Sequence, residues 1–389
     1  MLKGKTVVLG VTGSIAAYKI ANLASMLVIM TENACNFINP ITFETLTGNK
    51  CLVDTFDRNF QFNVEHISLA KLADIFLVAP ASADVIGKIA NGIADDMLTT
   101  TIMACKCPKL ISPAMNTNMF TNPIVQDNLK KLEHYGYEII QPDSGYLACG
   151  DTGAGKMPSE QVLLNYILRT IAKDKDMAGI KLTVTAGPTR EKLDPVRFLS
   201  NNSTGKMGYA IAKMAMLRGA DVTLISGKVS LEPVPFVKMV DIVSAEDMYN
   251  AVIKSAKDAD IIIKAAAVAD YRPSDVSDEK IKKKDGDMSI PLERTKDIIG
   301  TLGSNKRDGL FLCGFSMETE HMLDNSKVKL TKKNLDMIVA NNVKVAGAGF
   351  GTDTNVVTVI TKDAVEELPM MSKEEVADAL LDRIMKARQ

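Results

Sequence analysis

The sequence lacks the features that mark membrane, secreted and nucleic-acid-binding proteins. No apolar run approaches the roughly 18 residues of a membrane-spanning helix, and residues 1–14 show no signal-peptide pattern. Six cysteines in 389 residues are too few for a disulfide scaffold, and Cys105 and Cys107 are too close together to form a CxxC pair. The 46 Lys and Arg residues balance 47 Asp and Glu residues, so the net charge of -1 provides no general attraction to nucleic acid or membranes. We therefore expect a cytoplasmic protein without a nucleic-acid or membrane partner.

Short apolar runs followed by turn residues recur along the first half of the chain. The runs cover residues 5–10, 75–79 and 109–112, and they lead into Gly13-Ser14, PASAD (80–84) and PAMN (113–116). A helical pattern follows the first two turns. Repeated strand, turn and helix units predict an α/β fold with a parallel sheet, in which functional residues follow the carboxyl ends of the strands.

A charge-dense segment, KDKD at 173–176, divides the sequence into two halves. The same pattern of apolar runs restarts after it, at residues 181–185, 221–226 and 260–264. We predict two successive Rossmann-like domains with mainly parallel sheets, at residues 1–172 and 179–389, joined by a linker at 173–178. An amphipathic helix is expected from Lys373 to the end.

One segment does not fit this regular pattern. The first helix is expected to end near Leu27, which leaves only residues 28–30 before Thr31. These are too few for a return turn and a full second strand. Either the second strand is truncated, or several residues are missing at this point.

Two turns of the first half suit a phosphate-bearing cofactor. Gly13 and Ser14 offer backbone N–H groups, a hydroxyl and a helix N-terminus, and Ser82 repeats the arrangement after another strand. An ordinary helix cap explains Ser14 equally well. Two such turns in one sheet favour a mononucleotide, whereas the spacing differs from the dinucleotide motif GxGxxG.

Three further residues are candidates for chemistry in the first half. His66 lies just before a helix, although a lone histidine is more often structural. Asn116 follows a strand, where a carboxamide can hold a carboxylate or simply form a turn. Cys149 lies in a glycine-flanked loop where a thiol could act as an acid, although most cysteines are inert and buried.

The second half contains a loop and two basic clusters that suit a polyphosphate. NNSTGKMG at 201–208 resembles a phosphate loop in composition but lacks the order GxxxxGK[ST]. The clusters are either solvated charged surfaces or a site for a triphosphate, which needs several cations. They comprise Lys280, Lys282, Lys283 and Lys284, and Lys329, Lys332 and Lys333.

These motifs, in this order, resemble one family almost end to end: the bifunctional phosphopantothenoylcysteine decarboxylase and phosphopantothenate-cysteine ligase of bacterial coenzyme A synthesis. The first half contributes GVTGSIAAYK (10–19), EHISLAKLAD (65–74), APASAD (79–84), NGIADD (91–96), PAMNTNMF (113–120) and ACGDTGAGKM (148–157). The second half contributes TAGPTREKLDPVRFLSNNSTGKMG (185–208), KAAAVADYRP (264–273), EKIKK (279–283), CGFSMET (313–319) and KKNLDMIVAN (332–341).

For the first domain, the resemblance implies a flavodoxin-like decarboxylase. It implies that His66 acts as a base, that Asn116 holds the substrate carboxylate and that Cys149 donates a proton. In this chemistry the flavin oxidises the cysteine thiol to a thioaldehyde, carbon dioxide leaves, and the hydride and a proton are then returned. The implied FMN site consists of Gly13, Ser14, Thr31 and Ser82.

For the second domain, the resemblance implies a ligase that uses CTP to convert phosphopantothenate into an acyl-cytidylate, which cysteine then attacks. Mg²⁺ would share the phosphate charge. Lys280 would serve the activating step and Asn201 the turnover of the acyl intermediate. The implied nucleotide site consists of Lys264, Ala265, Ala266, Asp270, Lys280, Thr295, Lys296, Asp297, Ile298, Phe315, Lys329 and Lys333. The family also implies a homo-oligomer of trimeric decarboxylase and dimeric ligase units.

The sequence departs from the family pattern at three places. Asp84 stands where many relatives have Asn, Phe120 stands where Trp or Tyr is common, and relatives carry a longer segment between Leu27 and Thr31. One alternative function is a ligase with a flavin-binding but non-catalytic first domain, which the presence of both His66 and Cys149 disfavours. A nicotinamide-dependent reductase is disfavoured by the absence of GxGxxG.

Overall fold

The computed structural model describes residues 1–20, 26–55, 65–148, 150–283, 288–318, 322–342, 349 and 351–388. The chain forms two compact units, Met1–Lys173 and Asp174–Gln389. No helix of the described residues is both long enough and apolar enough to cross a membrane.

The first unit is built on a five-stranded parallel sheet. Its strands are β1 (Val7–Val11), β2 (Leu27–Met30), β3 (Ile75–Ala81), β4 (Lys109–Pro113) and β5 (Glu138–Ile139). They lie in the order β2-β1-β3-β4-β5, and every neighbouring pair is parallel. This is the flavodoxin-like order, in which ligands bind outside the carboxyl ends of β1 and β3, where the strand order reverses.

Helices cover both faces of this sheet, because successive side chains of its strands point to opposite sides. Leu9 and Leu77 belong to one apolar cluster, whereas Val8 and Phe76 belong to the other. The helices are α1 (Ala17–Ile20), α2 (Pro40–Thr47), α3 (Glu65–Leu72), α4 (Ala83–Ala90), α5 (Met97–Ala104), α6 (Thr117–Phe120), α7 (Pro123–His134) and α8 (Glu160–Ile171), with a 3₁₀ helix at Glu32–Asn36.

A two-stranded hairpin of β6 (Asp143–Tyr146) and β7 (Thr152–Lys156) lies against the loop after β4. The N–H of Met115 donates to the carbonyl oxygen of Gly155 at 3.0 Å. Gly155 has a φ of 124°, and a Cβ at this position would lie 2.3 Å from the Met115 carbonyl oxygen. Only glycine therefore allows the hairpin to approach this loop so closely.

The expected helix end near Leu27 is wrong, because Leu27 begins a strand. The described part of the first helix ends at Ile20, and β2 pairs along its four residues with β1, from Leu27 opposite Val8 to Met30 opposite Val11. In the structure of this sequence the second strand is four residues long and leads directly into Thr31.

The second unit is built on an eight-stranded sheet of the order β12-β11-β8-β13-β16-β17-β19-β20. The first six strands in this order are mutually parallel, and the last two are antiparallel. The fold prediction of α/β with mainly parallel sheets is confirmed. Those eight strands are β8 (Lys181–Ala186), β11 (Asp221–Ser226), β12 (Lys238–Asp241), β13 (Ile261–Lys264), β16 (Phe311–Glu318), β17 (Met337–Asn342), β19 (Val357–Thr361) and β20 (Val365–Glu367).

Six short strands form three small antiparallel pairs beside this sheet. They are β9 (Glu191–Lys192) with β10 (Phe198–Leu199), β14 (Tyr271–Pro273) with β15 (Leu292–Arg294), and β18 (Thr354–Asn355) with β21 (Met371–Ser372).

The described residues of the second unit also form five helices: α9 (Lys206–Leu217), α10 (Ala245–Ser255), α11 (Ile298–Ser304), α12 (Met322–Lys332) and α13 (Lys373–Ala387). The helix expected from Lys373 is present, and Ser372 and Glu375 form its capping box. Helix α9 packs closely on β8 at Gly208, where a Cβ would lie 2.6 Å from the Cβ of Ala186.

Candidate active sites

Three hydroxyl side chains follow the first three adjacent strands of the first unit. Ser14 comes after β1, Thr31 directly after β2 and Ser82 directly after β3. The buried Thr12 joins two of these strand ends, since its Oγ1 donates to the Pro80 carbonyl oxygen at 2.7 Å and accepts from the Ser82 N–H at 2.8 Å. Sequence reasoning missed Thr12, although a threonine within the motif GVTGS was the available signal.

A cavity of about 460 Å³ lies at these strand ends. Gly13, Thr31 and Ser82, three of the four predicted FMN residues, line it. The hydroxyls also cap local structure: Thr31 Oγ1 and Ser82 Oγ each accept from a backbone N–H at 3.3 Å. A hydroxyl group can accept one hydrogen bond and still donate another. Thr31 and Ser82 can therefore cap local structure and also bind a ligand.

The same cavity has four acidic side chains in its lining, including Asp84 and Asp95. The ammonium of Lys88 pairs with both, at 3.5 Å and 3.1 Å. The hydrogen bond to Asp95 is the main reason that the pKa of Lys88 is raised, with the Asp84 charge adding to it. A charged Lys88 thus offsets part of the acidic charge, and the neutral hydroxyls at the strand ends can donate hydrogen bonds to a polar ligand.

A second cavity, of about 420 Å³, lies between the loop after β4 and the hairpin. Ser14 and Asn116 are the predicted residues that line it. The Asn116 amide donates to Asp151 Oδ2 at 3.0 Å, and its Oδ1 accepts from the Asn118 N–H at 2.8 Å. The contact with Asn118 shows that Asn116 stabilises the turn, as the structural interpretation expects. The contact with Asp151, between the two hairpin strands, also fixes the orientation of the carboxamide.

The structure does not bring His66 to these cavities. His66 is the second residue of α3, is half-buried and lines neither cavity. Cys149 lies outside the described residues, and Ala148 just before it lines the second cavity.

In the second unit, five predicted nucleotide-site residues interact around the end of β13. The pKa of the Lys264 ammonium is lowered, mainly because burial disfavours its charge and also because Lys333 repels it. Asp297 opposes this effect, and its own carboxylate accepts from Lys333 Nζ at 2.9 Å. Burial is the largest single influence on the Asp297 carboxyl and raises its pKa, but the hydrogen bonds from Lys333 and the Gly300 N–H, together with the charges of Lys333 and Lys264, lower that pKa overall. The interacting set comprises Lys264, Asp270, Asp297, Lys329 and Lys333.

A smaller cavity of about 120 Å³ lies between the N-terminus of α9 and the loop after β13. Ala265, Ala266 and Phe315, three of the residues predicted to bind the nucleotide, line it. The glycine-rich segment at 203–208 contributes the start of α9, where no side chain caps the first N–H groups. Sequence reasoning missed three further lining residues, Asn341, Asn355 and Lys373, because nothing local distinguishes them.

Lys373 and Lys206 contact Gly349, which lines this cavity, and residues 351–353. Lys373 Nζ donates to the Gly349 and Thr352 carbonyl oxygens, and Lys206 Nζ donates to Asp353 Oδ1 at 2.7 Å. Burial is the main reason that the pKa of Lys373 is lowered. The two ammonium groups therefore have structural partners in this state.

The remaining predicted ligase residues are distributed less compactly. Thr295 Oγ1 donates to the Ala269 carbonyl oxygen at 2.7 Å, and Ile298 is buried in α11. Lys296 pairs with Glu246 at 2.7 Å. Lys280 is exposed. Lys284 lies outside the described residues.

Comparisons with known proteins cover both units. The sequence profile of the Flavoprotein family matches residues 1–172, and that of the DNA/pantothenate metabolism flavoprotein C-terminal domain matches residues 177–387. The coenzyme A biosynthesis bifunctional protein CoaBC of Bacillus subtilis (strain 168) is 46% identical, over 99% of this chain and 97% of the relative. The protein of the same name from Escherichia coli (strain K12) is 40% identical, over 99% and 97%.

Solved structures match each half separately. A crystal structure of the C-terminal domain of a CoaBC protein is 44% identical and covers 55% of this chain and 97% of that chain, with a TM-score of 0.47. The FMN binding protein AtHal3 is 30% identical and covers 44% and 98%, with a TM-score of 0.39.

Proposed function

Because this chain belongs to the family of bifunctional coenzyme A biosynthesis proteins, we propose that its two units catalyse consecutive reactions. The second unit joins 4′-phosphopantothenate to cysteine with CTP, through an acyl-cytidylate. The first unit decarboxylates that conjugate to 4′-phosphopantetheine with FMN. The observation that carries the proposal is that residues of the family motifs line a cavity at the carboxyl strand ends of both parallel sheets.

In the first unit, the protein's contribution is to bind and orient. Gly13, Ser14, Thr31 and Ser82 hold the flavin, which when bound supplies the reversible two-electron chemistry that makes the carboxylate labile. The Asn116 amide, oriented by Asp151 and Asn118, exchanges its bond to Asp151 for one to the substrate carboxylate.

Two residues are assigned to proton movement in that reaction. His66 acts as the base and Cys149 as the acid that protonates the product. Ala148, next to Cys149 in the chain, lines the same cavity as Asn116, which supports this assignment. A thiol suits the task because its ordinary pKa lies near neutrality, at about 8.5.

In the second unit, cations offset the triphosphate charge. Lys264, Lys329 and Lys333 lie around the end of β13, and Lys280 reaches the phosphates from the segment at 274–283. No cluster of three or more metal-ligating side chains occurs among the described residues, so we place Mg²⁺ on the triphosphate itself, where it shares the charge with these lysines.

The test uses the full-length protein with 4′-phosphopantothenate, cysteine, CTP and Mg²⁺. We expect pyrophosphate, carbon dioxide and 4′-phosphopantetheine, and a purified protein with a flavin absorption spectrum. The second candidate function, a ligase whose flavin unit is not catalytic, is favoured by the position of His66 outside both cavities. That function would yield the cysteine conjugate without carbon dioxide, and an absence of pyrophosphate would contradict both. We also propose that the decarboxylase units form trimers and the ligase units form dimers. Light scattering measures the mass of the resulting homo-oligomer.

A further inference from the structure

Two lysines of the second cavity are not used by the mechanism described so far. Lys19 of α1 and Lys156 of β7 both line the 420 Å³ cavity. Its described lining contains no acidic side chain. Within the described part of the chain, neither ammonium has a carboxylate within the 4.0 Å limit of an ion pair. The lining therefore carries two positive charges and no negative one, although Asp151 lies behind Asn116 and Asp143 lies opposite Lys156 in the hairpin.

The two lysines reach the lining of this cavity from different elements. Lys19 is half-buried in the helix that follows β1, whereas Lys156 lies on the hairpin. The Lys156 side chain crosses the facing strand at Gly145, where its Nζ would lie 3.8 Å from an added Cβ. Because Gly145 has no side chain, the Lys156 ammonium can lie against the strand that contains Gly145. A ligand between helix and hairpin would meet both charges.

Apart from Ser14, Asn116 and the two tyrosines Tyr18 and Tyr146, the rest of the cavity lining is apolar. Ile15, Leu147 and Met157 are among its lining residues. A volume of about 420 Å³ lies within the range of roughly 300–1,000 Å³ that is usual for small-molecule sites. The cavity thus offers a carboxamide, an apolar wall and two cations to one elongated ligand.

These features match the two anionic ends of a phosphorylated conjugate. We propose that Lys19 and Lys156 bind the phosphate monoester of the decarboxylase substrate, while Asn116 holds its carboxylate. The inference rests on the proposed function, and it assigns the selectivity of the first unit for phosphorylated substrates to these two side chains. A dianionic phosphate gains charge-assisted hydrogen bonds from both ammonium groups, whereas an unphosphorylated conjugate leaves them in water.

The phosphate of the flavin is the other source of the same chemistry. Gly13, Thr31 and Ser82 line the neighbouring 460 Å³ cavity, and Lys19 and Lys156 do not. We therefore assign Lys19 and Lys156 to the phosphate of the substrate. The amount of bound flavin in the lysine variants distinguishes this phosphate from that of the flavin.

The experiment compares Lys19→Gln and Lys156→Gln in the full-length protein with 4′-phosphopantothenoylcysteine and pantothenoylcysteine as substrates. We expect each change to raise KM for the phosphorylated substrate about tenfold, with bound flavin unchanged. Kinetics with the unphosphorylated substrate should stay as in the wild type. Lys156→Arg should keep the preference, and Lys130→Gln, on the exposed surface of α7, is the matched control. Inhibition constants of pantetheine and 4′-phosphopantetheine give the same comparison without turnover of an unphosphorylated substrate.

Equal changes for both substrates, or none for either, would overturn the assignment. A loss of bound FMN from the glutamine variants would transfer the two lysines to the flavin phosphate. If the flavin-loaded wild type decarboxylates neither substrate, the proposed function itself fails, which is a different result from a lost preference.

Discussion

The side-chain amide of Asn201 donates a hydrogen bond to the carbonyl oxygen of Ala267, with 2.8 Å between Nδ2 and O. Its Oδ1 accepts from the N–H of Ser203 at 3.0 Å. One carboxamide therefore joins the loop after β13 to the loop that precedes α9, and Ala267 and Ser203 both line the smaller cavity of the ligase unit.

Changing Asn201 to Asp should separate the two ligase half-reactions. A carboxylate can still accept from Ser203, but it cannot donate to Ala267. We predict that pyrophosphate release continues while product formation falls at least about tenfold. Pyrophosphate is measured without cysteine, and product after cysteine is added. The exposed neighbour provides the control, Asn202→Asp. If pyrophosphate release and product formation fall by the same factor, Asn201 serves binding or folding and not the second half-reaction.

Changing Lys280 to Gln should affect the activating step. The segment that carries Lys280 is held at Ile281, whose N–H donates to the buried Asp194 carboxylate at 3.2 Å and whose carbonyl oxygen accepts from Arg197 at 2.9 Å. We predict a loss of about a hundredfold in acyl-cytidylate formation, since a cation is removed from concentrated negative charge. Lys282→Gln, two residues away and exposed, should retain the wild-type rate. If Lys280→Gln forms acyl-cytidylate as fast as Lys282→Gln, Lys280 is an ordinary solvated surface residue.

Changing His66 to Asn should abolish decarboxylation and leave the ligase rate unchanged. The two reactions belong to separate units, and distant sites are normally independent. Carbon dioxide release and pyrophosphate release are followed in the same sample. Equal losses of both would indicate a structural role for His66.

Changing Arg218 to Met should destabilise the second unit. Its side chain is only 7% exposed, and it donates to Asp176 Oδ1 at 2.9 Å and to Asp382 Oδ1 at 2.7 Å. Removing the guanidinium takes away a charge partner of Asp176 and Asp382, so we predict a loss of about 2–4 kcal/mol. Arg383→Met, which breaks the more exposed pair with Glu366, should cost at most about 1 kcal/mol. Urea denaturation compares the two, and similar losses would contradict the assignment.

Cys107 should be the most readily alkylated of the described cysteines. The hydrogen bond from Cys105 is the main cause that lowers the pKa of the Cys107 thiol, whereas burial raises that of Cys51 to about 12. A lowered thiol pKa increases the thiolate, so alkylation of Cys107 should rise at a lower pH than that of Cys51. Peptide mass analysis after iodoacetamide measures it. Cys105→Ala should shift the rise to higher pH, and an unchanged profile would contradict the cause.

Local sequence was sufficient for much of the architecture. Apolar runs such as residues 75–79 and 181–185 form buried strands at the expected places, and the helix from Lys373 begins there because Ser372 and Glu375 cap it. The helix end expected near Leu27 is wrong, since a short apolar run such as LVIM at 27–30 suits either a helix or a strand. Its pairing with β1, and the bridge from Ile29 to Leu52, decide in favour of a strand.

The sequence by itself determined the α/β class, the succession of strand, turn and helix, and the family motifs that supply the candidate residues. Only the tertiary structure decided which of these residues meet. Asn201 meets Ala267, and Lys333 meets Asp297, while His66 stays outside both cavities of its unit. The physical reason is that a parallel sheet gathers the ends of strands that are far apart in the chain, and the order of those strands is set by packing rather than by any local signal.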